Sequence, residues 1–411
     1  MKATSIAKAR ERATGEQPFL PFSAPWVGEQ ELAELADAAG SGWLTAGPRT
    51  RRFEEAFAAY VGVQEAVATS SCTAALELAL KAMDIGPGDA VITTPFTFAA
   101  TANVIVHTGA EVVFVDISPR SYNLDPAAVA RFLAENCAPS PAGHRVTRGR
   151  GRRVRALIAV HYAGLSAPME ELEQIGRRFH IAILEDAAHA AGARYRGRPV
   201  GTLGRAGCFS FYPTKNMTTA EGGMLTTDDR ELAGRVRRLS QHGITRDGWQ
   251  RYSAEGGWRY DVVEAGYKFN MTDLQAALGL VQLGRLDGFV DRRRLIAAHY
   301  DRAFQSHREL VVPPDSPDCH NSRHIYPLGV RSQRVSRDQF IERLKERQIG
   351  SSVHFIPLHL TRFYSERFGF RPGDFPNAER VFESVVSLPL YPAMTDADVS
   401  RVVDATLQIL G

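Results

Sequence analysis

The sequence predicts an α/β protein with a large, mostly parallel β-sheet flanked by helices and a smaller C-terminal α/β domain. Between Val63 and about Thr227, short apolar runs rich in β-branched residues alternate with longer helix-patterned stretches. This alternation is typical of parallel strands joined by crossover helices. The chain has 411 residues, more than one small hydrophobic core needs, so a second domain is expected.

Seven strands and several intervening helices are expected in this region. The strands are EAVAT, DAVITT, AEVVFVDI, VRALIAVH, IAILED, CFSFY and GGMLTTD, and the helices include TAALELALKAMD, PMEELEQIGRRFH and RELAGRVRRLSQ. The turn residues agree with this order. GPGD, from Gly86 to Asp89, separates a helix from a strand, and the Asp-Pro pair of LDPAAVARFLAEN suits the start of a helix.

The pattern changes near Asn270, where long helices are followed by mixed short strands and helices. We therefore predict a large domain at residues 18–269 and a smaller domain at residues 270–411. Residues 1–17 contain basic side chains without a long apolar run after them. This predicts a flexible tail, with neither a signal peptide nor a membrane span.

The charge is nearly balanced, with 49 Lys+Arg against 46 Asp+Glu, and therefore favours neither nucleic acid nor a membrane as a partner. The arginine-dense segment His144–Arg155 is interpreted as a solvated surface insertion, with binding of nucleic acid or another phosphate-bearing ligand as the alternative. Cys72, Cys137, Cys208 and Cys319 form no CxxC pair. They predict no zinc ribbon or disulfide framework, and a cytoplasmic location fits them best.

Lys215 is unusual because arginine carries almost all the basic charge of the chain. It lies in FSFYPTKNMTTAEGG, among small, hydroxylated and glycine residues. A lysine that acts as an amine nucleophile needs space and must be able to lose its proton. A nucleotide-binding P-loop is the competing interpretation, but YPTKN lacks the G-x-x-x-x-G-K-[ST] pattern. Lys215 is therefore predicted to be a reacting amine.

Two further segments place polar groups at the ends of predicted strands. In ATSSCTAALELALKA a strand ends in small polar residues and a helix begins at once, so the first-turn N–H groups can bind a phosphate. The alternative is that Ser and Thr only cap the helix. IAILEDAAHAAGA ends a strand in Glu185-Asp186, at the sheet edge that carries ligand-binding residues, although an acid there can also cap a turn. A carboxylate near a reactive lysine suits pyridoxal phosphate, whose ring nitrogen needs an anionic partner.

Several motifs follow one another along the chain: SGWLTAGPRTRRFEEAFAAYVG, TSSCTAALELAL, GPGDAVITTPFTFAATANVI, GAEVVFVDI, LEDAAHAAGARYRGRPVGTLG, CFSFYPTKNMTTAEGGML, GYKFNMTDLQAALGLVQL and SLPLYPAMT. In this order they resemble the DegT/DnrJ/EryC1/StrS family of sugar aminotransferases. The resemblance runs from about Pro21 to Val402. It implies a pyridoxal-phosphate enzyme of the aspartate-aminotransferase-like fold type I.

The resemblance implies roles for four residues around the cofactor ring. Lys215 would form the Schiff base and move the proton during transamination, and Asp186 would pair with the pyridinium nitrogen. His189 would lie near the ring hydroxyl, where many relatives have glutamine. Phe98, the second aromatic residue of FTF, would stack on the ring; without the resemblance, it would be interpreted as a core residue.

Four more residues are implied to hold the cofactor phosphate. Ser71, Cys72 and Ser210 would contribute backbone N–H groups and a hydroxyl, with Cys72 standing where the family commonly has glycine. Asn270 would reach the phosphate of the neighbouring subunit. The resemblance therefore implies a homodimer with shared active sites.

The implied activity is amination of a nucleotide-linked keto sugar, with glutamate as the amino donor, in antibiotic or polysaccharide biosynthesis. His189, HGITRDGWQRY and GYKFNMTD resemble the branch that aminates C4. One alternative is an aminotransferase for a keto cyclitol or a related cyclic ketone. A sugar dehydratase, whose relatives have histidine in place of Lys215, and a non-catalytic regulatory protein of the same fold are the others.

Histidine-containing segments of the C-terminal part are open to more than one interpretation. HNSRH and HFIPLH could suggest a metal site, but neither has an acidic cluster beside it, so no metal is predicted. By resemblance His324, His354 and Tyr391 line the substrate cleft, with packing roles as the alternative. Asp273 is predicted to cap the helix LQAALGLVQL.

Overall fold

The computed structural model describes residues 18–140, 144–245 and 259–411. The predicted tail at residues 1–17 lies outside the described residues, and so do residues 246–252 of HGITRDGWQRY. Among the helices of the three described ranges, none combines the length and apolar composition that crossing a bilayer requires.

The first part of the chain alternates strands and helices. In order, it contains α1 Glu29–Gly40, α2 Pro48–Val61, β1 Glu65–Thr69, α3 Cys72–Ala82, β2 Asp89–Thr93, α4 Ala99–His107, β3 Glu111–Phe114, α5 Pro126–Glu135, β4 Cys137–Pro139, β5 Arg145–Thr147, β6 Arg153–Val160, α6 Met169–Phe179, β7 Ala182–Asp186, β8 Arg194–Tyr195, β9 Arg198–Pro199, β10 Ala206–Ser210, β11 Gly223–Thr227 and α7 Arg230–Leu239. All seven predicted strands and the quoted helices are present, with ends shifted by up to two or three residues.

The second part is richer in helix. In order, it contains α8 Asp273–Leu283, α9 Leu286–Phe304, β12 Leu310–Val311, β13 Cys319–His320, β14 Tyr326–Val330, α10 Arg337–Glu346, α11 Arg362–Phe368, α12 Pro376–Ser384, β15 Val385–Leu388 and α13 Asp396–Leu410. Strands β12, β14 and β15 form a small antiparallel sheet. The predicted mixture of long helices and short strands is therefore observed.

The large sheet has the strand order β1-β11-β10-β7-β6-β2-β3. Strands β10, β7, β6, β2 and β3 are parallel, whereas β11 is antiparallel to both β10 and β1. The reversal at β11 follows from its connection, because no crossover helix separates it from β10. The predicted α/β fold with a mostly parallel sheet is confirmed.

Helices cover both faces of this sheet with apolar side chains. Phe53, Phe57 and Met224 belong to the cluster on one face, and Leu76, Leu80 and Leu225 belong to the cluster on the other. A third cluster, from Ile296 to Leu410 together with Leu20, surrounds the small sheet. Strands buried on both faces explain why the predicted strands are almost continuously apolar.

The apolar core of the large sheet continues past residue 270. Met271, Ala276 and Leu286 pack in the same cluster as Phe53. Gly279 of α8 lies so close to Phe53 that a Cβ there would approach its ring to 2.7 Å. The domain boundary at residue 270 stays a prediction, and α8 contributes to the core on its N-terminal side.

The arginine-rich segment forms β5 and the start of β6, an antiparallel extension beside the parallel strands. Arg150 and Arg152 each lie 3.5 Å from Glu111, and Arg153 lies 2.8 Å from Asp89. These ion pairs offset part of the positive charge of the segment, which leaves less of it for a phosphate-bearing ligand.

Asp273 caps a different helix from the one predicted. Thr272 is the N-cap of α8 and accepts a hydrogen bond from Gln275 N. The Asp273 carboxylate instead accepts hydrogen bonds from Arg49 N at 3.1 Å, Thr50 N at 2.9 Å and Thr50 Oγ1 at 2.7 Å, all in the first turn of α2. The prediction was wrong because the tertiary packing of α8 on α2 brings a second helix start within reach.

Replacement of this carboxylate should destabilise the fold. We expect Asp273→Ala to lower the free energy of unfolding by about 2–3 kcal/mol, because two backbone N–H groups and one hydroxyl lose a buried acceptor. Urea unfolding measures the change. Asp404→Ala, at an exposed position of α13, is the control and should change the free energy little. Equal effects of the two substitutions would contradict the capping role.

Candidate active site

A cavity of about 570 Å³ lies where strands β1, β6, β7 and β10 end and helices α3 and α4 begin. It is the carboxyl edge of the parallel strands, where α/β proteins bind ligands. Seven of the eight predicted site residues line this cavity: Ser71, Cys72, Phe98, Asp186, His189, Ser210 and Lys215. Residues separated by more than 140 positions in the chain thus meet in one place.

Glu185 and Asp186, the last two residues of β7, have different environments because successive strand residues point to opposite faces. Glu185 is fully buried and its carboxylate accepts hydrogen bonds from Gly201 N, Leu203 N and Gly204 N at 2.7–2.8 Å. It therefore caps a turn, as the sequence allowed for an acid at this place. Asp186 is left to face the cavity.

The orientation of the Asp186 carboxylate is set by two donors. Thr101 Oγ1 donates to Oδ2 at 2.7 Å, and Ala188 N donates to Oδ1 at 3.2 Å. Thr97 Oγ1 in turn lies 2.8 Å from Thr101 Oγ1. Sequence reasoning missed Thr101, because a threonine in a helical stretch gives no local sign that it contacts an acid 85 residues away.

Lys215 occupies the loop between β10 and β11 and is partly buried. Its backbone N–H donates to Tyr212 O at 2.9 Å. Burial lowers the pKa of its ammonium group to about 8, although Cys72 and Asp186 act in the opposite direction. A substantial fraction of the amine is therefore unprotonated slightly above neutral pH, as a nucleophile or proton carrier requires.

The first turn of α3 presents backbone donors to the cavity. Ala74 N donates to Ser71 Oγ and Ala75 N donates to Ser71 O, each at 3.1 Å, so the serine hydroxyl is a helix cap. Within the described residues, the N–H groups of Cys72 and Thr73 make no hydrogen bond. Such N–H groups, at the positive end of the helix dipole, suit a phosphate. Ser71 therefore caps α3, while the N–H groups of the next two residues stay available to donate to a phosphate.

Gly223, the first residue of β11, allows this close approach of strand and helix. A Cβ at Gly223 would lie 2.3 Å from Ser71 C and 2.5 Å from Cys72 N, so any other residue would displace the helix start. Ser210, opposite Gly223 in the β10–β11 pair, carries its hydroxyl at the same rim. The second glycine of AEGG thus has a steric reason at this position.

The Cys72 side chain lines the cavity beside Asp186. Its Sγ is 3.3 Å from Cys208 O and 3.9 Å from Asp186 Oδ1. Burial, followed by the negative charge of Asp186, raises the pKa of the thiol, so the group stays protonated and donates to Cys208 O. The thiol fills space that a glycine would leave empty.

Three histidines form the opposite wall. The rings of His189 and His324 are 4.3 Å apart, and His354 closes the group with a ring centroid 6.3 Å from that of His189. Ala163 N donates to His189 Nδ1 at 3.3 Å, which places the ring proton on Nε2. His324 is 3% exposed, and its Nδ1 has no partner among the described residues.

Burial is the first cause that lowers the pKa of each of these histidines, and Lys215 contributes to all three. The pKa of His354 falls to about 4, and those of His189 and His324 lie well below the ordinary value. At neutral pH the wall is therefore uncharged. No group of three or more His, Cys, Asp or Glu side chains in the described residues is arranged for a metal ion.

Of two aromatic residues that were predicted to contribute to the site, one lies at the cavity and the other does not. Phe98, the N-cap residue of α4, is 65% exposed at the rim, and its ring centroid is 6.1 Å from that of Phe355. It is therefore not a core residue. Tyr391 packs in the apolar cluster around the small sheet and does not line the cavity.

Asn270 does not reach this cavity within one chain. It lines a separate cavity of about 700 Å³ together with Arg51, Arg52 and Gln241. Its side-chain oxygen accepts a hydrogen bond from Lys268 Nζ at 2.5 Å. The role of Asn270 in a neighbouring subunit stays a prediction.

Removal of the Lys215 amine should stabilise the cofactor-free protein at neutral pH. Lys215 is protonated in both states at pH 7, and its burial as a cation costs stability; between pH 8 and 10.5 only the unfolded state holds the proton, so wild-type stability rises there. We expect Lys215→Met to raise the free energy of unfolding by roughly 1–3 kcal/mol at pH 7, an advantage that shrinks as the pH rises.

Denaturant unfolding from pH 7 to 10.5 measures this difference. Lys345→Met, which replaces an exposed lysine of α10, serves as the control and should give a small difference that does not change with pH. An advantage of Lys215→Met that stayed constant over this range would contradict the lowered pKa.

Comparison with known proteins places this geometry in a family. Residues 25–407 match the family model described as DegT/DnrJ/EryC1/StrS aminotransferase family. The chain is 47% identical over 395 residues to the spore coat polysaccharide biosynthesis protein SpsC of Bacillus subtilis, with 95% of this chain and 97% of SpsC covered.

Two solved structures extend the comparison. The putative sugar aminotransferase Spr1654 of Streptococcus pneumoniae, in its PLP form, has a TM-score of 0.84 and 32% identity, with 96% of this chain and 100% of that chain covered. PseC of Helicobacter pylori, an aminotransferase involved in the biosynthesis of pseudoaminic acid, has a TM-score of 0.85 and 27% identity, with coverage of 95% and 99%. The chain belongs to the DegT/DnrJ/EryC1/StrS family and is an aminotransferase that depends on pyridoxal phosphate.

Proposed function

We propose that this aminotransferase converts a nucleotide-linked keto sugar to an amino sugar, by amination at C4 with glutamate as the amino donor. The observation that carries the proposal is the convergence of Lys215, Asp186 and the first turn of α3 in one cavity whose opposite wall is uncharged. The first three features serve the cofactor. The uncharged wall is the part left for a polar, hydroxylated substrate.

The residues of the cavity fit pyridoxal phosphate. The free N–H groups of Cys72 and Thr73, close to Gly223, would hold the phosphate, with the Ser210 hydroxyl at the same rim. Asp186 would hold the ring nitrogen. When bound, the cofactor supplies an electron sink for cleavage of the C–H bond beside the transferred nitrogen.

Lys215 is the proton carrier of this site. Its Nζ has a pKa of about 8 because the side chain is buried, so it can both accept and return a proton near neutral pH. Asp186 keeps one orientation while this happens, because Thr101 and Ala188 bind its two oxygens. The Cys72 thiol stays protonated and adds no charge between the two.

The sugar part of the proposal is supported by the wall of the cavity and by the relatives. Neutral imidazoles both donate and accept hydrogen bonds, so His189, His324 and His354 can bind sugar hydroxyl and carbonyl oxygens without a net charge. SpsC is named for polysaccharide biosynthesis, and PseC for the biosynthesis of pseudoaminic acid. His189 in place of the family's usual glutamine favours the C4 branch. The four cysteines are free in the structure, which suits a cytoplasmic enzyme.

Loss of the Lys215 amine should abolish turnover. We expect Lys215→Ala to reduce amino transfer by at least about 10³-fold and to remove the visible absorbance of the bound cofactor, because the amine both attaches the cofactor and moves the proton. Lys345→Ala, an exposed lysine outside the cavity, should leave both unchanged. If Lys215→Ala retained turnover, Lys215 could not be the residue that attaches the cofactor and moves the proton.

The substrate class is tested by a panel of acceptors. Nucleotide-linked 4-keto sugars, nucleotide-linked 3-keto sugars and keto cyclitols are offered to the wild-type enzyme with glutamate, and the products are identified by mass spectrometry and NMR. We expect the highest kcat/KM with a 4-keto sugar. A preference for a keto cyclitol would replace the proposed substrate class by the alternative one.

The shared active site is tested by subunit complementation. If Asn270 acts in the neighbouring subunit, Lys215→Ala and Asn270→Ala homodimers are each impaired, but a hybrid dimer contains one intact site. After dissociation and random reassociation, half of the dimers are hybrids, so about a quarter of the wild-type activity should return. Mixed samples no more active than the average of the two variants would show that Asn270 does not act across subunits.

A further inference from the structure

Arg293 is a buried cation without a carboxylate partner. It lies in the middle of α9, is 2% exposed, and forms no ion pair within the described residues. Burial lowers the pKa of its guanidinium to about 9. Arg292 and Arg294, its neighbours in α9, are more exposed. Burial of an unpaired charge is costly, so other interactions of the Arg293 guanidinium must offset this cost.

The guanidinium donates hydrogen bonds to backbone carbonyl groups from separate parts of the chain. Nη1 donates to His324 O at 2.9 Å and to Leu390 O at 2.6 Å. Nη2 lies 3.5 Å from Lys215 O. Nε has no partner among the described residues. Arg293 thus joins the loop of the reacting amine to the histidine wall of the cavity.

Residues 322–324, which include the His324 carbonyl that accepts from Arg293, also form hydrogen bonds with residues around the cavity. Asn216 Nδ2, one residue after Lys215, donates to Ser322 O at 2.9 Å. Ser322 Oγ donates to His189 O at 3.2 Å, and His324 N donates to Ala163 O at 3.0 Å. A displacement of this segment would therefore move both the Lys215 loop and the His189 turn.

We propose that Arg293 is a positioning residue for amino transfer, which fixes the backbone of Lys215 and His324 so that the amine and the histidine wall face each other across the cavity. The inference rests on the proposed role of Lys215. Arg293 is not among the residues that line the cavity, so it acts through these backbone groups.

The charge of Arg293 has a second consequence. It lowers the pKa of His324 and so helps to keep the wall uncharged. The groups that face the Lys215 amine are Cys72, Asp186, His189, His324 and His354. Without Arg293 the Lys215 loop is free to move toward solvent. This relieves the burial that lowers the pKa of the Lys215 amine and so favours the protonated amine.

The test is the pH titration of the Lys215 amine in the cofactor-free protein. Wild type, Arg293→Met and Arg293→Lys are labelled with trace amounts of an amine-reactive reagent between pH 6 and 11, and the labelled peptides are quantified by mass spectrometry. The chain has few lysines, and Lys81 and Lys345 serve as internal references. We expect Arg293→Met to raise the Lys215 midpoint by about one pH unit, a tenfold change in protonation.

Two further variants make the result specific. Arg293→Lys keeps the charge but lacks the planar fork, so its midpoint should lie between those of the wild type and Arg293→Met. Arg292→Met removes a guanidinium of the same helix that donates to Met394 O and contacts Asp396, and should leave the midpoint unchanged.

A wild-type midpoint in Arg293→Met overturns the inference, and so does an equal shift in Arg292→Met. If Arg293→Met does not fold, Arg293→Lys decides: a raised midpoint supports the inference and a wild-type midpoint overturns it. The amino-transfer activity of Lys215→Ala is measured separately, because it tests the proposed function and not the role of Arg293. If Lys215→Ala is inactive and the Lys215 midpoint is unchanged in the Arg293 variants, only the role of Arg293 is refuted.

Discussion

The parallel pairing of β7 with β10, in which Asp186 lies opposite Cys208, is the constraint from which the rest of the site follows. It brings the ends of two strands side by side, so the acid at one end and the loop that carries Lys215 share a single cavity. The antiparallel return of β11 then brings Gly223 against the first turn of α3. The carboxylate, the amine and the first turn of α3 are thus brought together by the register of one sheet.

The cavity limits the number of charges it contains. The histidines of its wall are neutral because they are buried near a cation, and the Cys72 thiol is kept protonated by burial and by Asp186. The Arg293 guanidinium does not line the cavity and donates its hydrogen bonds to backbone carbonyl groups. Lys215 and Asp186 therefore have few other ionised side chains around them inside the cavity.

Several features of the chain could be read from local sequence, and others could not. The strand ends at Thr69 and Asp186 were predicted because small or acidic residues stand at the end of each apolar run, whereas the strand CFSFY was predicted to end at Tyr212 and ends at Ser210. Thr101 was missed, and Asp273 was assigned to the wrong helix, because both bind partners far away in the chain. A hydrogen bond between such partners leaves no periodic pattern in the sequence.

By itself the sequence determined the order of strands and helices and the edge of the sheet that carries the cavity, and it predicted Lys215 as the reacting amine, since each depends on periodicity or on side-chain chemistry within a short segment. Only the tertiary structure decided that Glu185 caps a turn while Asp186 faces the cavity, that His324 and His354 join His189 in an uncharged wall, and that Arg293 braces the Lys215 loop. The physical reason is that pKa values, burial and carbonyl partners depend on which distant residues are packed together.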